Sequence, residues 1–341
     1  MRKVATVQRV KAIEEMLDKS GQPATSVELV TFEDVAWQCV AKKGEFKVGD
    51  KAVYIEISSV VPETEVFEFL RPSKFRVKTK KILGYLSQGL ALPLSTFGID
   101  AEVGDDVSEQ LGIKRWEPES DPERAKLGGT TKGNFHPDVP KTDEERIQSA
   151  PGILKLFTGL DVVATVKVDG TSVTYLFEDS GLKVYSRNLQ QDTEGDTVYA
   201  KVAKVYGIAE ILEKFPWIAL QGEIAGPGIQ ENKLGLKEHE LFLFNAFNFK
   251  TQVYMPHIAL ATFCRLNKLP MVPVFKTWTA EEWEQAAYTV DDLLELSKGR
   301  YASGKHREGL VFRPMSEEVY TRFGRLSFKV INNDFLLSGG E

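Results

Sequence analysis

The chain has 341 residues, a formal net charge of −6 and 42% hydrophobic residues, which suggests two domains with real cores and is too polar for a membrane protein. Two distant cysteines, Cys39 and Cys264, exclude a disulfide framework and a cysteine zinc site, and His136, His239, His257 and His306 lack metal-ligand spacing. No apolar run approaches the roughly 20 residues of a spanning helix, and Met1-Arg2-Lys3-Val4 leads into mixed polar sequence without an apolar signal core, so a cytoplasmic monomer is expected.

Residues 1–111 are rich in short β-type runs: Val27–Phe32, Val35–Ala41, Lys51–Val61 and Phe75–Leu83, punctuated by Val48-Gly49-Asp50 and Val103-Gly104-Asp105. About five short strands in roughly 100 residues suggest a small closed barrel, of which the oligonucleotide-binding (OB) barrel is one common form. Arg71, Lys74, Arg76, Lys78, Lys80 and Lys81 lie in a stretch with no acid from Arg71 to Ile99. In Phe75–Lys80 the cations alternate, so a strand places them on one face. Such a face is either a solvated charged strand or a surface for a phosphate backbone. An acidic protein binds nucleic acid if its cations are gathered in this way.

Residues 112–150 read as a linker: Trp116–Glu123 is acidic and Pro-rich, and Gly128-Gly129 follows. Residues 151–341 alternate strand-like runs (Val162–Val166, Ser172–Phe177, Lys183–Ser186, Ile218–Ile224, Leu241–Phe247, Gly309–Arg313, Leu326–Ile331) with helical patterns (Asp196–Lys214, His257–Asn267, Ala280–Tyr288, Val290–Gly299). Asp196 and Thr279 are candidate N-caps and Gly299 a candidate C-cap. The mixture predicts an α+β domain on antiparallel sheets.

The chemistry centres on Thr165-Val166-Lys167-Val168-Asp169-Gly170, a lysine at the end of an apolar strand. Alone, the pattern fits a strand-end lysine in a turn as well as a nucleophile. A lysine attacks only as the neutral amine, so a nucleophile needs desolvation or a nearby cation to lower its pKa. Five more segments follow: Ser186-Arg187-Asn188, Leu220-Gln221-Gly222-Glu223, Phe244–Asn248, Arg307–Phe312 and Ser327–Ile331. Each sets polar or charged groups at the edge of an apolar strand, as the wall of a nucleotide pocket does.

The order and spacing of these six segments resemble motifs I, Ia, III, IIIa, IV and V of the covalent nucleotidyltransferases, the superfamily of ATP-dependent ligases and mRNA capping enzymes. Within it the chain most resembles the RNA ligases that carry an N-terminal OB module and seal nicks with 3′-OH and 5′-phosphate ends. A domain precedes the lysine, Arg146 stands where those ligases have a pre-motif arginine, and only about a dozen residues follow motif V. Ser87-Gln88-Gly89-Leu90 also resembles their OB module.

The resemblance implies ATP and Mg²⁺ or Mn²⁺ as cofactors and a nicked duplex, RNA at least on the 3′-OH side, as partner. It makes Lys167 the nucleophile and Asp169, Glu223 and Glu308 the acids around a hydrated metal. Lys329 would neutralise the α-phosphate, Arg187 contact ribose or nick phosphates, Phe244 and Val311 sandwich adenine, and Arg146 reach phosphates. Arg76, Lys78, Lys80 and Lys81 would hold nucleic acid. Many relatives carry K-x-K in motif V, whereas this chain has Ser327-Phe328-Lys329. A DNA ligase, a GTP-dependent capping enzyme and a nucleic-acid-binding protein with an inactive transferase domain are the alternatives.

Overall fold

The first unit is organised around β1 (Ala5–Leu17), a strand that two-residue alternation does not reveal. Its register shifts between Val10 and Ala12 and again between Glu15 and Leu17. Each such bulge adds a residue and flips the inward face, so Ala5, Val7, Val10 and Met16 are buried without a constant period. The computed structural model describes residues 3–117, 131–179, 181–193, 196–317, 320–321 and 324–340. By internal contacts it divides into Met1–Glu117 with Ile147–Gly152 and Leu336–Glu341, and Pro118–Arg146 with Ile153–Phe335.

In the first unit β1 pairs on one side with β2 (Pro23–Phe32) and on the other with β4 (Lys51–Ile55), both antiparallel. With β3 (Gln38–Lys42) and β9 (Leu90–Pro93) the order is β3-β2-β1-β4-β9. Phe32 and Trp37 pack on Tyr54, with ring centroids 4.9 and 6.4 Å away. A second sheet joins β5 (Ser59–Val60), β6 (Arg76–Val77) and β10 (Lys114–Arg115), and β7 (Lys80–Ile82) forms a hairpin with β8 (Tyr85–Ser87). Two expected strands are thus broken. Lys51–Val61 turns at Ser58, whose φ is 62°, and Phe75–Leu83 yields only the two short strands β6 and β7. The alternation nonetheless persists over Phe75–Lys80, where Phe75, Val77 and Thr79 are buried and the cations between them are more open. Arg76 and Lys78 are half-buried and Lys80 and Lys81 exposed, and the Arg76 guanidinium lies 3.6 Å from the centroid of the Trp116 ring.

The second unit is α+β, as the sequence predicts. Its larger sheet has the order β11-β16-β15-β14-β17-β18-β19, from β11 (Thr131–Asn134), β14 (Thr171–Glu178), β15 (Gly181–Tyr185), β16 (Leu189–Gln191), β17 (Ile218–Ala225), β18 (Glu240–Asn248) and β19 (Val253–Tyr254). The other runs β12-β24-β21-β13-β20: β12 (Glu145–Arg146), β13 (Val162–Lys167), β20 (Val274–Trp278), β21 (Gly309–Pro314) and β24 (Phe328–Ile331). Between the last two, β22 (Tyr320–Thr321) and β23 (Gly324–Arg325) form a hairpin. Pairing is antiparallel except for β12 with β24. β11 and β12 arise from the segment read as a linker, and residues 118–130 of that segment lie outside the described residues.

Helices cover the first sheet because Tyr199, Val202, Ile208 and Leu212 recur on one face and pack against Tyr175, Val184, Leu220 and Leu241. The expected helix Asp196–Lys214 is two helices, Val198–Val205 and Ile208–Lys214, because Gly207 between them is left-handed. Thr197, not Asp196, is the N-cap and accepts a hydrogen bond from the Ala200 amide at 3.1 Å. Thr279 caps Ala280–Ala286 in a full capping box with Glu282. Helix Val290–Ser297 ends at Lys298, so Gly299 is one position beyond the cap.

Candidate active site

Strand pairing brings the acids to the lysine. Lys167 ends β13 opposite Gly309 at the start of β21, which sets Glu308 beside it, and Lys167 Nζ is 2.7 Å from Glu308 Oε1. The chain then crosses to the other sheet, where Ser172 on β14 is paired with Glu223 on β17. Gly170 makes this crossing possible. A Cβ there would lie 2.3 Å from the Ile224 carbonyl and 2.8 Å from Glu223 Cγ. Gly309 is equally constrained, with φ 154° and the Val330 carbonyl 2.1 Å from a built Cβ. Gly170→Ala is expected to cut nucleotide transfer at least ~100-fold by displacing Glu223, read by single-turnover labelling, with a cooperative melt retained.

The charges conflict. Burial favours loss of the Lys167 proton, but Glu308, Glu223 and Asp169 together hold its pKa above the ordinary lysine value. Burial, with Glu308 adding and Lys233 opposing, pushes Asp169 up to about 6. Glu223 rises to about 8, again chiefly by burial, against the pull of Lys167. Among the described residues no three acids or histidines are close enough to ligate one ion directly. Carboxylates in excess of their local cations, Asp169 buried and Glu223 and Glu308 half-buried, nonetheless fit a hydrated divalent ion held through its water shell.

The remaining predicted residues fall around this centre. Lys329 is buried on β24, opposite Val311 of β21 and beside Arg146 of β12. Asp143 bridges two of the three cations that the resemblance assigns to phosphates, 3.2 Å from Lys329 and 3.1 Å from Arg187. Phe244 packs with Val168, Ala225 and Val272, and Arg313 sits over its ring at 5.8 Å. Arg76, Lys78, Lys80 and Lys81 belong to the other unit.

Ser327, which replaces a motif V lysine, bonds the Glu144 carboxylate, and Glu144 also holds Arg313 at 2.6 Å. Burial works to raise the Glu144 pKa, but Arg313 and Arg325 bring it below the usual carboxylate range. A second lysine is replaced here by a neutral donor to an acid already committed to arginine. Sequence reasoning missed Asp143, Glu144, Lys233 and Tyr301. Lys233 pairs with Asp169 at 3.0 Å. These residues lie outside the six segments, and only tertiary pairing shows their partners.

A family model described as RNA ligase matches residues 160–331, and one described as an OB-fold domain matches residues 4–94. The chain belongs to the RNA ligase family. Comparison with curated proteins gives no match. Among solved structures, this ligase is similar to the Naegleria gruberi RNA ligase with pyrophosphate, at TM-score 0.85 and 30% identity over 98% of both chains. A lysine-to-methionine variant of that enzyme, solved with AMP and manganese, gives the same TM-score, identity and coverage. A glutamate-to-alanine variant, solved with ATP and manganese, matches at 30% identity with TM-score 0.84, again over 98% of both chains. No described helix is long and apolar enough to cross a membrane.

Proposed function

We propose that the protein is an ATP-dependent RNA ligase that joins a 3′-OH to a 5′-phosphate at a nick through a lysyl-AMP intermediate on Lys167. The observation that carries the reading is Lys167 at 2.7 Å from Glu308, with Glu223 and Asp169 acting on the same amine. The family match supports ligation, and the ATP, AMP and manganese in the similar structures support the cofactors.

In the first step neutral Lys167 Nζ attacks the α-phosphorus. A P–N bond forms and the P–O bond to pyrophosphate breaks. A 5′-phosphate oxygen next attacks the same phosphorus and Lys167 leaves as an amine. The 3′-OH oxygen then attacks the 5′-phosphorus and AMP departs. A bound Mg²⁺ or Mn²⁺ supplies positive charge that lowers the lysine pKa and offsets charge on the phosphate. Asp169, Glu223 and Glu308 are the residues that would hold such an ion. Lys329, Arg187 and Arg146 take the phosphates, and Phe244 and Val311 take adenine, one ring face of Phe244 already meeting Arg313.

We assign the unit built on Met1–Glu117 to grip on the duplex and the unit of Pro118–Arg146 with Ile153–Phe335 to transfer chemistry. In the first, Arg76, Lys78, Lys80 and Lys81 contact nucleic acid. Two buried unbonded cysteines suit a reducing, cytoplasmic compartment, and sizing near 38.2 kDa checks the monomer. Lys80→Ala with Lys81→Ala should leave ATP labelling intact and lower the salt slope of RNA binding by roughly 1 to 2. An unchanged slope removes these lysines from the interface.

Incubation with α-labelled ATP or GTP tests the whole reading, followed by sealing of nicked duplexes that vary RNA and DNA on each side. An acid-stable adduct from ATP and sealing that requires RNA at the 3′-OH side are expected. Transfer from GTP, or indifference to RNA, supports the capping or DNA-ligase alternatives. No adduct supports the inactive binding protein.

A further inference from the structure

Glu308 is preceded by a short hairpin in which Arg300 bridges His306. The Tyr301 amide bonds the Lys305 carbonyl at 2.9 Å, and the Gly304 amide bonds the Tyr301 carbonyl at 2.9 Å. Arg307 anchors the base: its side chain donates to the carbonyls of Ser297 at 2.9 Å and of Leu296 and Lys298 at 2.7 Å, at the end of helix Val290–Ser297. The tip is held by Ser303, whose hydroxyl donates to the Lys233 carbonyl at 2.5 Å. Between these anchors the Tyr301 phenol meets three residues of two catalytic segments. It donates to the Lys167 carbonyl at 3.0 Å and accepts from the amides of Glu308 at 3.1 Å and Asp169 at 3.3 Å.

A phenol has one donor and two acceptor positions, and all three are used here. The partners belong to two chain segments, the end of β13 and the residue before β21. β-pairing alone aligns them only as far as Lys167 with Gly309. Beyond that point the chain leaves the sheet and Asp169 and Glu308 have no ladder to hold their amides. One hydroxyl takes the place of the missing ladder.

The geometry points to Tyr301 as a positioning residue for lysine adenylylation, which sets Lys167, Asp169 and Glu308 relative to one another through their main chains. Its hydroxyl touches no reacting atom. The inference rests on Lys167 being the nucleophile. Nucleotide binding depends on other groups, so loss of the hydroxyl slows the chemical step and leaves ATP affinity nearly unchanged. A displacement of about 1 Å at a reacting pair costs on the order of 100-fold.

The test is Tyr301→Phe in the full chain, read by single-turnover transfer from α-labelled ATP with Mn²⁺ and by amide hydrogen exchange. The maximal rate should fall roughly 10- to 100-fold, with half-saturating ATP within about twofold. Exchange should quicken at the amides of Asp169 and Glu308. An unchanged maximal rate overturns the inference, even if exchange quickens. So does a loss that appears only as a higher ATP requirement. If Tyr301→Phe does not fold, Ser303→Ala, which frees the hairpin tip but keeps the phenol, should lower the rate about threefold at unchanged half-saturation. No loss there overturns the inference. Absence of labelling by the wild-type chain fails the ligase reading itself and takes this inference with it, a result distinct from a defect confined to the variants.

Discussion

Lys167→Ala is expected to abolish formation of the acid-stable protein–AMP adduct, a loss of at least ~10⁴-fold, because the P–N bond of the proposed adduct is made to that amine. Joining of RNA already carrying a 5′-adenylate should survive, since the amine is not consumed in the last step. Lys167→Arg separates chemistry from charge. An arginine keeps a cation beside Glu308, but its guanidinium does not lose its proton in a protein, so it too should fail to label while melting near the wild-type temperature. Labelled ATP with gel readout checks the two labelling outcomes, and sealing of 5′-adenylated RNA without ATP checks the other. An adduct on Lys167→Ala would place the nucleophile elsewhere.

Glu223→Gln should lower adduct formation at least ~100-fold and, without added metal, stabilise the fold at alkaline pH. The carboxyl titrates at about 8 in the folded chain against an ordinary 4.5. Between those values the folded state holds a proton that the unfolded chain has released, so stability falls as pH rises. Glutamine does not carry that loss. Its advantage should be absent near pH 4, grow to pH 8 and then level off. The interval from 4.5 to about 8 is worth at most ~5 kcal/mol. Because Glu223 is only half-buried, solvent screening reduces this to about 2 kcal/mol, or roughly 5 °C in Tm. Mn²⁺ should narrow the gap by offsetting the charge. Melting curves of both proteins at pH 4, 6, 8 and 9 check the trend, and equal Tm differences throughout would contradict it. A site acid that weakens the fold is the expected trade between activity and stability.

Legibility differed by element. Strand existence in the second unit was readable because β13, β17, β18 and β21 are apolar runs bounded by turn residues. Thr279 was readable as a cap because Glu282 completes its box. β1 was not, because its bulges defeat a fixed period. The Phe75–Leu83 run keeps its alternation of burial as far as Lys80, but it forms the two short strands β6 and β7 rather than one. The segment before Arg146 looked polar and shapeless, yet it supplies Asp143 to Lys329 and Arg187.

By itself the sequence determined the family pattern, the α+β class and the identity of Lys167, Asp169, Glu223, Glu308 and Lys329 as the groups of interest. These were legible because the six segments that carry them resemble the family's motifs in order and spacing. Only the tertiary structure decided what those groups face: Glu308 against Lys167, Lys233 against Asp169, Glu144 against Ser327, and Tyr301 at the junction of two segments. Such pairs join residues far apart in the chain, and their energies come from distance and burial, neither of which local order specifies.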